Sequence, residues 1–82
     1  MAKRTPLERE LSEIWAGLLN LPSVGVHDNF FEFGGHSLLA GRLLARTRAR
    51  FRVDIGLGAF FAAPTVAGLA TAIVQKVVDD TL

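Results

Sequence analysis

Asp28-Asn29-Phe30-Phe31-Glu32-Phe33-Gly34-Gly35-His36-Ser37-Leu38-Leu39-Ala40 decides how this chain is read. It passes from turn-forming residues through three phenylalanines to a glycine pair, then into an apolar repeat of helical spacing. Its one serine stands where loop becomes helix. A helix start carries backbone N–H groups without partners and the positive end of the helix dipole. A hydroxyl there is well placed to hold a phosphate. The plainer use of such a serine is as an N-cap, its hydroxyl accepting from a backbone N–H two or three residues on. Taken without its flanks, Ser37 reads as that cap.

Outward from the serine, the pattern is helical on both sides. A second helix is expected from Ser37 to about Arg50, where Leu39 and Leu43, and Ala40, Leu44, Thr47 and Phe51, form overlapping rows. Upstream, Thr5, Pro6 and Glu8 supply an N-cap, a first-turn proline and a capping box. Leu7, Leu11, Ile14, Trp15 and Leu18 follow on one face, with Trp15 directed inward. Asn20 to Gly25 breaks that helix. The long connection up to Gly35 has Val24, Val26, Phe30, Phe31 and Phe33 as apolar pins, so it is expected to pack over the helices. Gly56 and Gly58 weaken the stretch after Asp54, leaving one short turn near Ala59–Phe61. At least one of Phe60 and Phe61 is expected at the surface, since neighbours on a short helix cannot both point inward. The last helix opens at Pro64-Thr65 and carries Val66, Leu69, Ile73 and Val77 as its stripe. Asp79 and Asp80 sit unfavourably at its C-terminus, so its end is expected to fray. The fold class is all-α: a small bundle of three main helices plus one short helix.

Composition narrows the function. Eighty-two residues, half of them apolar, make one small folded domain with a modest core. With no cysteine, the chain supplies no disulfide and no thiol; a thiol required by function must come from a cofactor. A net charge of +1 points to neither a nucleic-acid binder nor an acidic tail. No apolar run is long enough to span a bilayer, and no apolar segment follows Lys3-Arg4 to make a signal peptide. The expected setting is cytoplasmic, the expected state a monomer.

The quoted segment closely resembles the attachment motif of peptidyl carrier (thiolation) domains of nonribosomal peptide synthetases, in the phosphopantetheine-binding, acyl-carrier-like family. The block Phe-Phe-x-x-Gly-Gly-His-Ser-Leu at positions 30–38 is its specific part, and the likeness extends from about Leu7 to Ile73. The resemblance implies an acyl-carrier-like bundle over residues 6–78, with 1–5 and 79–82 as flexible termini. It implies a non-catalytic carrier, itself the substrate of a phosphopantetheinyl transferase that uses coenzyme A and magnesium. Ser37 then bears a covalent 4′-phosphopantetheine arm, with Gly35, His36 and Leu38 around it. The arm's thiol holds aminoacyl or peptidyl groups as thioesters and carries them between adenylation, condensation and thioesterase domains. Leu38, Gly41, Arg42 and Arg46 on the second helix, with Phe60, are the implied docking residues; neither nucleic acid nor membrane is a partner. Gly34 and Gly35 are expected to clear the approach to the hydroxyl, and the N–H groups around Leu39 and Ala40 to face the phosphate. Phe33 stands where a leucine is commoner in the family, and the stretch from Gly56 to Ala63 is smaller and more apolar than usual.

Rival chemistries fit less well. A serine-hydrolase elbow requires Gly-x-Ser-x-Gly, and Leu39 replaces the last glycine. His36 as general base for Ser37 is disfavoured because adjacent residues diverge; an exposed histidine at the loop end is the better reading. His27, Asp28, Glu32 and His36 match no metal-ligand spacing, and Asp28 reads as a turn former. The Arg42, Arg46, Arg50 stripe, with Arg48 and Arg52 nearby, is by default a solvated face. A docking surface for acidic partner patches ranks above a nucleic-acid contact, for which basic excess and interleaved aromatics are missing. An acyl or aryl carrier, a small nucleic-acid-binding module and a plain interaction domain are the alternatives.

Overall fold

The computed structural model describes residues 5–81, so the expectations for residues 1–4 and Leu82 lie outside the described residues. Four helices follow in order: α1 (Pro6–Leu19), α2 (Ser37–Phe51), α3 (Leu57–Ala62) and α4 (Val66–Thr81). No strand occurs among the described residues. Helix α1 packs against both α2 and α4, and the short α3 bridges the other side of those two.

Each boundary has a local cause. Thr5 Oγ1 accepts from the Glu8 N–H at 3.1 Å while Glu8 returns a carboxylate oxygen to the Thr5 N–H at 2.9 Å, completing the capping box. Helix α1 ends at Asn20, which turns left-handed (φ 56°), as asparagine tolerates well. Helix α4 starts where Thr65 Oγ1 accepts from the Gly68 N–H at 2.9 Å. Its far end differs from expectation: the helix continues through Asp79 and Asp80, with Gln75 donating to Asp79 Oδ1 at 3.1 Å across one turn. Its stripe is shorter than expected. Val66, Leu69 and Ile73 are buried, but Val77 is 48% exposed, because the last turns of α4 project past the core.

The core centres on three aromatic side chains. Trp15 meets Phe30 edge-on at 5.1 Å and Phe60 at 5.9 Å, and Phe30 meets Phe60 at 5.4 Å. Such T-shaped pairs add about 0.5–1.5 kcal/mol beyond their area burial. The connection between α1 and α2 is fixed to this core as expected. The Phe30 N–H donates to the Pro64 carbonyl at 2.8 Å, and the Ala67 N–H to the Val26 carbonyl at 2.9 Å. Val24 and Phe30 are its buried pins; Phe31, 38% exposed, rests on the outside of the Phe30 and Phe60 rings, and Phe33 is 44% exposed.

Candidate attachment site at the start of helix α2

Phe30 organises the site. Its ring lies in the aromatic core, its N–H is bonded to the α3–α4 junction, and its carbonyl accepts from the Gly35 N–H at 3.0 Å. Two short turns deliver the chain to it. Asp28 Oδ2 accepts from the Gly25 N–H at 2.8 Å, the turn-forming role expected of it, and Asn29 Oδ1 accepts from the Phe31 N–H at 2.9 Å.

Each glycine of the pair has a structural reason of its own within the chain. A Cβ on Gly35 would lie 2.3 Å from the Phe30 ring and 2.6 Å from its carbonyl oxygen, so Gly35 is the close-packing contact between loop and core. Gly34 has φ +99°, a conformation that other residues reach only with strain, and it turns the chain back toward the helix.

His36, in extended backbone, is the N-cap of α2. Its carbonyl accepts from the Ala40 N–H at 2.8 Å and its Nδ1 from the Leu39 N–H at a long 3.4 Å. Nδ1 is therefore turned to the helix backbone, consistent with reading His36 as an exposed loop-end residue rather than a base for Ser37. The Leu39 and Ala40 N–H groups, expected to face a phosphate, are both taken by His36. Those of Ser37 and Leu38 are the ones without a hydrogen bond among the described residues.

Ser37 is thus the first residue inside the helix, not its cap. It is exposed, and its hydroxyl makes no hydrogen bond among the described residues. Leu38 beside it is 63% exposed, which rules out inward packing against Phe30 or Phe31. Gly41, one turn on, faces open space, and Arg42 and Arg46 are exposed. Arg50 leaves the basic stripe: it is ion-paired with Glu10 of α1 and its guanidinium lies 5.4 Å from the Phe51 ring centroid. Phe60 needs correcting as a docking residue. It is 1% exposed, held in the core against Trp15 and Phe30, whereas Phe61 is 45% exposed and packs on Phe31 at 5.5 Å. The exposed Phe31–Phe61 pair and Leu57 were not read from sequence as part of a docking face. The adjacent-phenylalanine argument signalled that one of Phe60 and Phe61 would face out, without saying which; Phe30 and Phe31 were both expected as pins. No cluster of three potential metal ligands occurs among the described residues.

The family model for the phosphopantetheine attachment site matches residues 9–73. The chain belongs to that family. A peptidyl carrier protein solved in complex with the phosphopantetheine transferase Sfp and coenzyme A is 35% identical, with a TM-score of 0.86 over 92% of this chain and 97% of that one. A prototype for the peptidyl carrier domains of modular peptide synthetases is 36% identical, with a TM-score of 0.79 over 90% and 97%. Among curated proteins, malpibaldin synthetase of Mortierella alpina is 56% identical over 84% of this chain. A dimodular nonribosomal peptide synthase of Bacillus subtilis is 51% identical over 82%. The chain spans only 1% of the length of the first synthetase and 3% of the second. It is a peptidyl carrier domain, non-catalytic, whose cofactor is 4′-phosphopantetheine. The start of α2 fits a phosphodiester: an exposed, unbonded hydroxyl with two open backbone N–H groups at the positive end of a helix of 15 residues.

Proposed function

We propose that Ser37 Oγ is the atom that bears the 4′-phosphopantetheine arm, and that the domain shuttles aminoacyl or peptidyl groups between the enzymes of a nonribosomal assembly line. When attached, the group supplies a terminal thiol, which this cysteine-free chain lacks, for holding cargo as a thioester. The observation that carries the assignment is the hydroxyl itself: exposed, one residue inside the helix and without a hydrogen bond among the described residues. The chain's part is positional. His36, Gly35 and the Phe30 anchor fix the serine at the rim, and the open N–H groups of Ser37 and Leu38 face added negative charge. An exposed anion at such a helix start gains about 0.3–1 kcal/mol.

The proposed partners are a phosphopantetheinyl transferase and adenylation, condensation and thioesterase domains. The proposed docking face is Leu38, Gly41, Arg42 and Arg46, with exposed Phe61 in place of buried Phe60. Leu38 gives an apolar contact beside the tether, Gly41 permits close approach, and the two arginines steer an acidic surface, an effect mainly on association rate. The proposed compartment is the cytoplasm, because loading draws on coenzyme A.

Incubation with coenzyme A, magnesium and a broad-specificity transferase is expected to add one phosphopantetheine, which peptide mapping places on Ser37. An adduct elsewhere would refute the assignment. For docking, Leu38→Asp is expected to keep the wild-type melting midpoint and to slow aminoacyl loading by a partner adenylation domain. Normal loading of that variant would remove Leu38 from the docking face.

A further inference from the structure

We infer that His36 is a positioning residue for the modification of Ser37: its side chain caps α2 and holds the helix start in the register that leaves the serine hydroxyl unbonded. The inference rests on the proposal that Ser37 is the modified residue.

The two threonine-capped helices show the alternative. At α1 and α4 the N-cap residue is a threonine, and its hydroxyl accepts the N–H three positions on, at Glu8 and Gly68. Were α2 to begin one residue later, Ser37 would occupy that N-cap position and the N–H three residues on would be that of Ala40. Its hydroxyl would then be bonded in the same way as the threonines'. Serine is among the strongest N-capping residues, so the sequence contains a competing start that consumes the reactive group. The structure adopts the other one. Ala40 donates to the His36 carbonyl at 2.8 Å and Leu39 to His36 Nδ1 at 3.4 Å, placing Ser37 at the first helical position. Gly35, seated on Phe30, fixes the residue before the cap. An imidazole can accept at Nδ1 only if that nitrogen is unprotonated, so neutral His36 carries its proton on Nε2.

Without the side-chain cap, the serine-capped start gains population, and only chains in the His36 register present a free hydroxyl. A binding-competent fraction below one raises the apparent KM by its reciprocal. A cap of ordinary strength shifts the balance between the two starts about fivefold, which raises KM about 1.5- to threefold when the wild type lies mostly in the His36 start.

The test is steady-state transfer of phosphopantetheine from coenzyme A by a transferase with magnesium, followed by intact mass. It compares wild type with His36→Ala, His36→Asn and His36→Ser, alongside amide deuterium exchange at Leu39 and nitrogen-15 NMR of the histidine ring. The substituted position, His36, is exposed, and helicity by circular dichroism checks each variant's fold. His36→Ala is expected to raise KM about 1.5- to threefold at unchanged kcat and to speed exchange at Leu39. His36→Asn and His36→Ser, which cap without an imidazole, are expected to restore both, and neutral wild-type His36 to carry its proton on Nε2. A wild-type KM in His36→Ala, no rescue by either capping variant, or a neutral tautomer protonated at Nδ1 would overturn the positioning role alone. A wild type that takes no adduct would instead sink the assignment of Ser37, and this inference with it.

Discussion

At the start of α1 the hydroxyl of Thr5 accepts from the Glu8 N–H at 3.1 Å, and Glu8 closes the box at 2.9 Å; at the start of α2 the hydroxyl of Ser37 accepts nothing among the described residues. The two helices begin with the same kind of group, offset by one position. Thr5 precedes its helix and is used up in capping it, as is Thr65 at α4. Ser37 lies one residue inside, where a histidine has taken over the cap. A hydroxyl at the cap is structural and one at the next position is available for chemistry, so a single-residue shift separates the two uses. The support beneath them differs as well. The α1 start is held by its own side chains, whereas the α2 start rests on Phe30 and, through it, on Trp15.

The largest effect is expected where that support is removed. Trp15→Ala deletes a fully buried indole that touches both Phe30 and Phe60, and should cost about 3–5 kcal/mol in urea or thermal unfolding. An unchanged midpoint would mean that the aromatic core does not carry the α2 start. Gly35→Ala comes next. Its Cβ would overlap the Phe30 ring and carbonyl, and the carbonyl is backbone that cannot swing away. A loss of about 1–3 kcal/mol is expected, accompanied by slower phosphopantetheine transfer as the serine is displaced. Full stability in that variant would show the loop to be free to move off Phe30. Thr5→Ala removes an occupied cap and should cost about 1 kcal/mol. That loss should leave transfer to Ser37 unaffected, which sharpens the contrast between the two helix starts. Slower transfer in Thr5→Ala would show the starts to be coupled.

Local signals were readable from sequence; choices made by tertiary packing were not. The Thr5-Pro6-Glu8 start, the Asp28 turn and the Thr65 start each depend on residues within a few positions, and each is found as read. The serine's place at the loop–helix boundary was legible for the same reason. Which phenylalanine of each adjacent pair enters the core was not. Phe30 and Phe60 go in while Phe31 and Phe61 stay out, and that is set by where Trp15 lies relative to a loop and to a helix of six residues. The role of Gly35 was hidden likewise, since only the folded chain brings the Phe30 carbonyl against it. Helical periodicity also overstated burial at Val77, because spacing shows which face a residue is on but not where the neighbouring core ends. The capping role of His36 does have a sequence signal: it immediately precedes the helix, the position where a side-chain acceptor is useful.

The smallest structural effect goes with the largest functional one, at Ser37. Replacing this exposed, unbonded hydroxyl with alanine removes no hydrogen bond among the described residues, so Ser37→Ala should hold the wild-type unfolding free energy to within about 0.5 kcal/mol. The same sample, treated with coenzyme A, magnesium and a transferase, should show no mass increase where wild type gains one phosphopantetheine. Measuring both quantities on that one variant tests the central claim. A stable, unmodified Ser37→Ala is what the account predicts; a variant that still takes up the arm, or that loses about 1 kcal/mol as a missing cap would cause, contradicts it.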